Sequence, residues 1–158
     1  KRIRVKDSFT RLWWMSTTPD PLANNRNVLE EYSKQMNRLL ATGKYNSGKR
    51  PSEHLISQNA FTIDNGGSIP SNVIIAPNTD SHSTYLIKCK EKGLPIHPAR
   101  MPMQLPEFFI KMLTESGDIV LDCFAGSNTT GYCAEKLNRK WISVEANKDY
   151  YMGSKYRF

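Results

Sequence analysis

The segment from Asp118 to Glu145 constrains this chain most. An apolar run, Asp118 to Cys123, breaks at Gly126; helix-compatible residues follow from Thr130 to Asn138; a second apolar run, Trp141 to Glu145, closes on an acid. Two short apolar runs joined through a helix are the pattern of a βαβ unit, whose strands are parallel because the crossover returns the chain to the same end of the sheet. The segment therefore predicts an α/β domain built on a parallel sheet. A strand that ends in a glycine turn and restarts as a helix also brings several backbone N–H groups to one spot, where a carboxylate or phosphate can bind.

Gly126 permits close approach of the backbone to a ligand, and Ser127, Thr129 and Thr130 offer hydroxyls and helix caps. Taken alone, such a turn is equally well a plain cap between strand and helix. Glu145 favours a site: it lies nineteen positions after Gly126, at the end of the next strand, where a βαβ nucleotide site sets an acid against ribose hydroxyls. Ala125-Gly126-Ser127-Asn128 holds one glycine and the next is Gly131, so the GxGxxG of a pyrophosphate cradle is absent. A nucleoside joined to an amino acid, as in S-adenosylmethionine, needs one close backbone approach and one ribose-binding acid, and it fits better.

The remaining sequence suits a globular body. Its 158 residues leave room for a core, and 39% hydrophobic with 23% charged residues exclude wholesale disorder and a fibrous architecture. No apolar run approaches the roughly twenty residues that cross a bilayer. Lys and Arg number 22 against 15 Asp and Glu, and the net charge of +7 favours a polyanionic partner, nucleic acid first. Cys89, Cys123 and Cys133 form no close-spaced pair and no ligand pattern with the histidines, so a reducing interior is expected and no metal site.

Ser8 to Thr17, with Phe9, Leu12, Trp13, Trp14 and Met15, predicts a strand with at least one Trp buried on a sheet face. Val28, Leu29, Tyr32, Met36, Leu39 and Leu40 recur at helical spacing and predict an amphipathic helix ending near Gly43. Residues 44–71, rich in Gly, Ser, Asn, Pro and Lys, predict a long irregular loop suited to recognition. A short strand at Val73–Ile75, a short helix from Tyr85 to Lys92, a helix through Leu105 and Leu113 closed by Gly117, and a helix starting at Asn147 complete the pattern.

Asp122-Cys-Phe-Ala-Gly-Ser-Asn-Thr-Thr-Gly131 resembles the first cofactor motif of the amino-group DNA methyltransferases, in the branch whose motif order is permuted so that the cofactor half comes last. Glu145 resembles the acid of their second motif. Upstream, His97-Pro-Ala-Arg-Met-Pro102 resembles the His-Pro segment that leads into a helix and lines the methionine end of the cofactor. The resemblance covers about Ile96 to Tyr151. It implies a Rossmann-like, S-adenosylmethionine-dependent methyltransferase fold of class α/β, here an incomplete sheet plus an irregular target-recognition region. It also implies a cofactor site of His97, Pro98, Asp122, Phe124, Ala125, Gly126, Ser127, Asn128, Thr129, Thr130 and Glu145. Phe124 either covers the adenine or fills the space beneath the turn.

The earlier residues resemble the target-recognition region of the same family, with Trp13 to Thr17 as a strand of the catalytic sheet. Arg50-Pro-Ser-Glu-His54 and Asp64-Asn-Gly-Gly-Ser-Ile-Pro70 are most like the branch that modifies cytosine at N4, with adenine N6 as the alternative. On this reading residues 1–43 give the catalytic domain a strand and a helix, 44–95 form the target-recognition region, and 96–158 bind S-adenosylmethionine. Lys49, Arg50, His54, Asn65, Gly66 and Gly67 are the candidate contacts to double-stranded DNA, together with Lys1, Arg2, Arg4 and Lys6. For any one of these cations a solvated surface is the plain alternative. The family's catalytic tetrapeptide, (Ser/Asp/Asn)-Pro-Pro-(Tyr/Phe), has no match: Asp20-Pro21-Leu22 lacks the second proline and the aromatic. No catalytic residue is assigned in this chain, and the tetrapeptide is expected before Lys1, in a missing N-terminal segment.

The expectation is the C-terminal part of a site-specific DNA methyltransferase of a restriction-modification system, acting on the exocyclic amino group of a flipped base in a prokaryotic cytoplasm, at the nucleoid. The alternatives are a methyltransferase of RNA or of a small molecule, and a non-catalytic nucleic-acid-binding fragment of the same fold.

Overall fold

The computed structural model describes residues 3, 9–45, 48–57, 61–77 and 81–158; the candidate contacts Lys1, Arg2, Arg4 and Lys6 lie outside these. In chain order the elements are α1 (Lys34–Thr42), β1 (Gly48–Lys49), β2 (Leu55–Ile56), α2 (Thr84–Glu91), α3 (Gln104–Leu113), β3 (Ile119–Asp122), α4 (Thr129–Lys136), β4 (Lys140–Ser143) and α5 (Lys148–Ser154), with 3-10 turns at Asn25–Val28 and Lys155–Arg157.

The βαβ unit is present. β3 and β4 pair in parallel, Val120 opposite Trp141 and Asp122 opposite Ser143, and α4 is the crossover. Side chains alternate across a strand, so Val120 and Trp141 share a face, where they pack on the buried cluster of Ile110, Cys133 and Ala134 from α3 and α4. Burying a side chain of Ile size contributes roughly 1.5–3 kcal/mol relative to leaving it exposed, so this face holds the unit together. Ile119, Leu121, Ile142 and Val144 fall on the opposite face and remain more than half exposed. Parallel sheets are ordinarily covered on both faces; the described residues cover one face of this two-stranded sheet.

A second cluster, Tyr85, Leu86 and Cys89 of α2, packs with Leu94, Ile96 and Tyr156 and ties α2 to the C-terminal turn. Gly153 makes the α2–α5 approach close, since a Cβ there would stand 3.1 Å from the Cys89 Sγ. Ser33 caps α1 by accepting the Met36 N–H, and Gly43, in the left-handed region, ends it. The 3-10 turn at Asn25–Val28 docks on the end of α3, where the Asn24 N–H donates to the Met112 carbonyl at 2.8 Å.

Several sequence expectations are corrected. Residues 9–16 form no strand, and both tryptophans are exposed, Trp13 by 82% and Trp14 by 52%. β propensity reports fit to a neighbouring strand and a covered face, and the described residues offer neither there. The helix expected from Val28 begins only at Lys34; Val28 closes a 3-10 turn, and Glu30 then pairs in extended form with Ser68. Gly67 permits that pairing, because a Cβ there would stand 2.7 Å from the Glu30 carbonyl oxygen. Val73–Ile75 has no strand partner among the described residues. α3 stops at Leu113, four residues before Gly117, which instead turns the chain into β3 with φ +91°. The long loop is interrupted by the β1–β2 hairpin.

Candidate functional site

The glycine turn and the strand-end acid meet at one carboxylate. The Gly126 N–H donates to Glu145 Oε2 at 2.8 Å, and the Asn147 N–H donates to Oε1 at 2.8 Å. The Asn147 N–H does most to hold the Glu145 carboxyl below its ordinary pKa of 4.5; burial opposes it, while the Gly126 N–H and the nearby His97 add to it. The acid is therefore charged at neutral pH. A carboxylate has about four lone-pair sites; the Gly126 N–H takes one on one oxygen and the Asn147 N–H one on the other, the Ala146 N–H also bears on the group, and capacity for a further donor is left, as a hydroxyl-bearing ligand requires.

Gly126 has φ +52°, and a Cβ there would stand 3.0–3.1 Å from three atoms of the His97 ring. Only glycine lets the imidazole lie against the turn. Tyr150 meets the same ring edge-on, with centroids 4.6 Å apart. The His97 Nδ1 lies 3.0 Å from the Ala99 carbonyl oxygen, and the His97 N–H donates to the Tyr85 hydroxyl at 3.0 Å. Pro98 follows, exposed.

Four of the turn's N–H groups already have partners within the protein. Ala125 donates to the Val144 carbonyl, Gly126 to Glu145, Asn128 to the Ala125 carbonyl and Gly131 to Asn128 Oδ1. The open charge at this spot is an acceptor. Ser127, Asn128 and Thr129 are buried and form the frame of the turn. Asn128 sits in the left-handed region and caps α4, and its Oδ1 also accepts the Ser143 hydroxyl at 2.7 Å. Thr130 is half-buried behind it. Asp122 Oδ1 accepts the Phe124 N–H, and the Phe124 side chain, 92% exposed, does not fill the space beneath the turn.

Four residues around the turn escaped the reading of the sequence. Asn147, two positions past the acid, both serves Glu145 and caps α5 with its own side chain; an Asn before a helix was the available signal. Tyr150, Tyr85 and Arg157 reach the turn only through tertiary packing, which carries no local signal.

The candidate DNA contacts fall into two groups on different supports. Lys49, Arg50 and His54 share the β1–β2 hairpin, whose turn is closed by the Arg50 N–H on the His54 carbonyl at 2.9 Å. Lys49 forms an exposed ion pair with Glu53, and the Arg50 guanidinium lies over Tyr45, which meets Phe61 edge-on. Asn65, Gly66 and Gly67 rest instead against the segment before α1: the Asn65 N–H donates to the Tyr32 hydroxyl, Gly66 to Asp64 Oδ1, and Gly67 is buried against Leu29. Among the described residues no three His, Cys, Asp or Glu side chains gather as metal ligands, and no helix is long and apolar enough to cross a membrane.

Comparison with known proteins places this geometry in context. A family described as DNA methylase matches residues 1–155. Type II methyltransferase M.PvuII of Proteus hauseri is 47% identical over 160 residues, covering 100% of this chain and 47% of that protein. DNA adenine methyltransferase YhdJ of Escherichia coli K12 is 46% identical over 54 residues, 34% of this chain and 18% of that protein. Among solved structures, the PvuII DNA methyltransferase (cytosine-N4-specific) superposes with a TM-score of 0.55 and 52% identity, covering 57% of this chain and 32% of that one. The chain thus spans about half the length of the Proteus relative and less of the other.

Proposed function

The chain belongs to the DNA methylase family, and from that membership we propose that it is the cofactor-binding and target-recognition part of a site-specific DNA methyltransferase, of a restriction-modification system, that uses S-adenosylmethionine. The observation that carries this reading is the 2.8 Å contact between the Gly126 N–H and the Glu145 carboxylate, which makes the turn and the acid two walls of one site.

The residues present fit that cofactor. The Glu145 carboxylate, charged and with accepting capacity left, suits the ribose hydroxyls, and charge-assisted hydrogen bonds of this kind are the strong ones. The His97 ring, held against Gly126 and braced by Tyr150, walls the methionine end. Phe124, exposed beside the turn, is free to lie on the adenine face. A cavity of about 250 Å³ is lined in part by Ala125, Asn128, Ser143, Glu145 and Phe158. It is smaller than the roughly 300–1,000 Å³ usual for ligand pockets, so the nucleoside is assigned to the open side of the carboxylate. The bound cofactor supplies the methyl group; this chain's residues bind and orient.

The acceptor is proposed to be the exocyclic amino group of a DNA base swung out of the duplex, as chemistry on a base requires. Cytosine N4 is favoured over adenine N6 by the likeness to M.PvuII along the whole chain. Lys49, Arg50 and His54, presented on one hairpin tip, are proposed to contact the duplex, and Asn65 to Gly67 to shape the neighbouring surface. The catalytic tetrapeptide is placed in the part of the relatives' length that this chain does not span. That same part is proposed to cover the bare face of Ile119, Leu121, Ile142 and Val144, in a bacterial cytoplasm.

Calorimetric titration of the full-length protein with S-adenosylmethionine tests the site. Glu145→Ala is expected to weaken binding by about 1.5–3 kcal/mol, roughly 10- to 150-fold in Kd; unchanged affinity sinks the assignment. Mass spectrometry of nucleosides from methylated duplex DNA then separates the products, and 6-methyladenine in place of 4-methylcytosine would move the enzyme to the other branch.

A further inference from the structure

We propose that Tyr85 and Arg157 are positioning residues that set the spacing between His97 and the Gly126–Ser127 turn. The proposal rests on the cofactor site described above and adds two residues that stand outside it.

The contacts form a closed circuit. Tyr85, in the first turn of α2 and 1% exposed, accepts the His97 N–H on its hydroxyl at 3.0 Å. The His97 ring lies against Gly126. The next residue, Ser127, accepts Arg157 Nε on its carbonyl at 2.9 Å and Arg157 Nη2 on its hydroxyl at 2.8 Å. The Arg157 guanidinium stands 4.7 Å from the centroid of the Tyr85 ring, within cation–π range, and closes the loop. One buried tyrosine therefore fixes both the histidine wall and, through the arginine, the turn that the wall faces. Two features make the circuit stiff. The arginine fork makes two hydrogen bonds to a single residue, which a lysine cannot reproduce. α2, which carries Tyr85, is in close contact through Cys89 and Gly153 with α5, which runs directly into the 3-10 turn that carries Arg157.

The circuit begins in α2, within the range read as target recognition, and ends on the cofactor turn. It gives the cleft a width that does not depend on the ligand being bound. In a preformed site of this kind, displacement of one wall by a fraction of an ångström weakens binding without removing a single direct contact.

The test uses the full-length protein and two conservative variants. Tyr85→Phe keeps the ring under the arginine and removes the acceptor for the His97 N–H; Arg157→Lys keeps a cation over the ring and removes the fork on Ser127. Both are expected to raise the Kd and KM for S-adenosylmethionine about tenfold, with KM for duplex DNA and kcat at saturating cofactor within twofold of wild type. Hydrogen exchange of the peptide spanning residues 124–129, measured without cofactor, is expected to be faster in both. Cofactor affinity within twofold of wild type in both variants overturns the proposal. So does a parallel loss of cofactor and DNA affinity that tracks the fall in melting temperature, which would mark the pair as general packing. If the wild-type protein itself fails to bind S-adenosylmethionine, the proposed function falls, and unchanged exchange at 124–129 then refutes the circuit on its own.

Discussion

Replacing Gly131 with alanine should destabilise the protein, against the usual rule for helices. Inside a helix the exchange normally stabilises by about 1 kcal/mol. Here the new Cβ would collide with Asn128 Oδ1, the atom that accepts both the Gly131 N–H and the half-buried Ser143 hydroxyl. Displacing that side chain costs about 1 kcal/mol for the lost cap and about 1 kcal/mol for a half-buried hydroxyl left without its partner, the low end for an unsatisfied group. The net expectation for Gly131→Ala is destabilisation of about 1 kcal/mol, read by urea unfolding at constant m-value. A double-mutant cycle isolates the cause. Asn128→Gly removes the obstructing side chain while keeping a residue at ease with φ +57°. In that background Gly131→Ala should become stabilising by up to about 1 kcal/mol. The same sign in both backgrounds, or a gain in the wild-type background, refutes the reasoning.

Three further outcomes follow from the site. Gly126→Ala places a Cβ against the His97 ring at a φ of +52°, so it should lower the melting temperature and weaken S-adenosylmethionine binding together; a variant with wild-type affinity would show that the imidazole is not confined there. Because the folded-state pKa of Glu145 is depressed, its stabilising contribution is fully present above the ordinary value of 4.5 and is lost as pH falls through the lowered one. The stability difference between wild type and Glu145→Gln should accordingly be flat above pH 4.5 and shrink below it; a difference that instead grew in acid would reverse the sign assigned here. Burial pushes the Cys133 thiol up to about 11, with Glu107 adding to it, and burial also raises Cys89, whereas Cys123 is exposed. An aromatic disulfide reagent near neutral pH should label Cys123 first among the three, and peptide mapping that finds Cys133 first would contradict the packing of α4 on α3.

The central unit was legible in the sequence because its signals are local. Ile119 to Asp122 and Lys140 to Ser143 are apolar runs of strand length, the partner strand lies a single helix away, and Glu145 stands at the distance a βαβ crossover imposes. α3 is read from the helical spacing of Leu105, Phe108, Phe109, Met112 and Leu113, and α2 falls where a short helix is expected. The failures share a different cause. Trp13 and Trp14 look like strand residues, yet a strand exists only where another strand accepts its hydrogen bonds, and none of the described residues does so. Val28 and Leu29 continue a helical period, but pairing of Glu30 with Ser68 and the close fit of Gly67 override it. In the site, Gly126 and Glu145 were readable, while the partners of the Ala125, Gly126, Asn128 and Gly131 N–H groups were not, because the sequence does not reveal which acceptor stands opposite each. Arg157 reaches Ser127 across thirty residues, beyond any local pattern.

A ribbon of two strands with one oily side has no stable existence as a solitary object in water. Expressed with nothing laid over that side, a chain carrying Ile119, Leu121, Ile142 and Val144 in the open should self-associate or recruit chaperones. A segment able to cover that face should then keep this chain in solution only when the two are synthesised together, and mixing them after purification would yield precipitate.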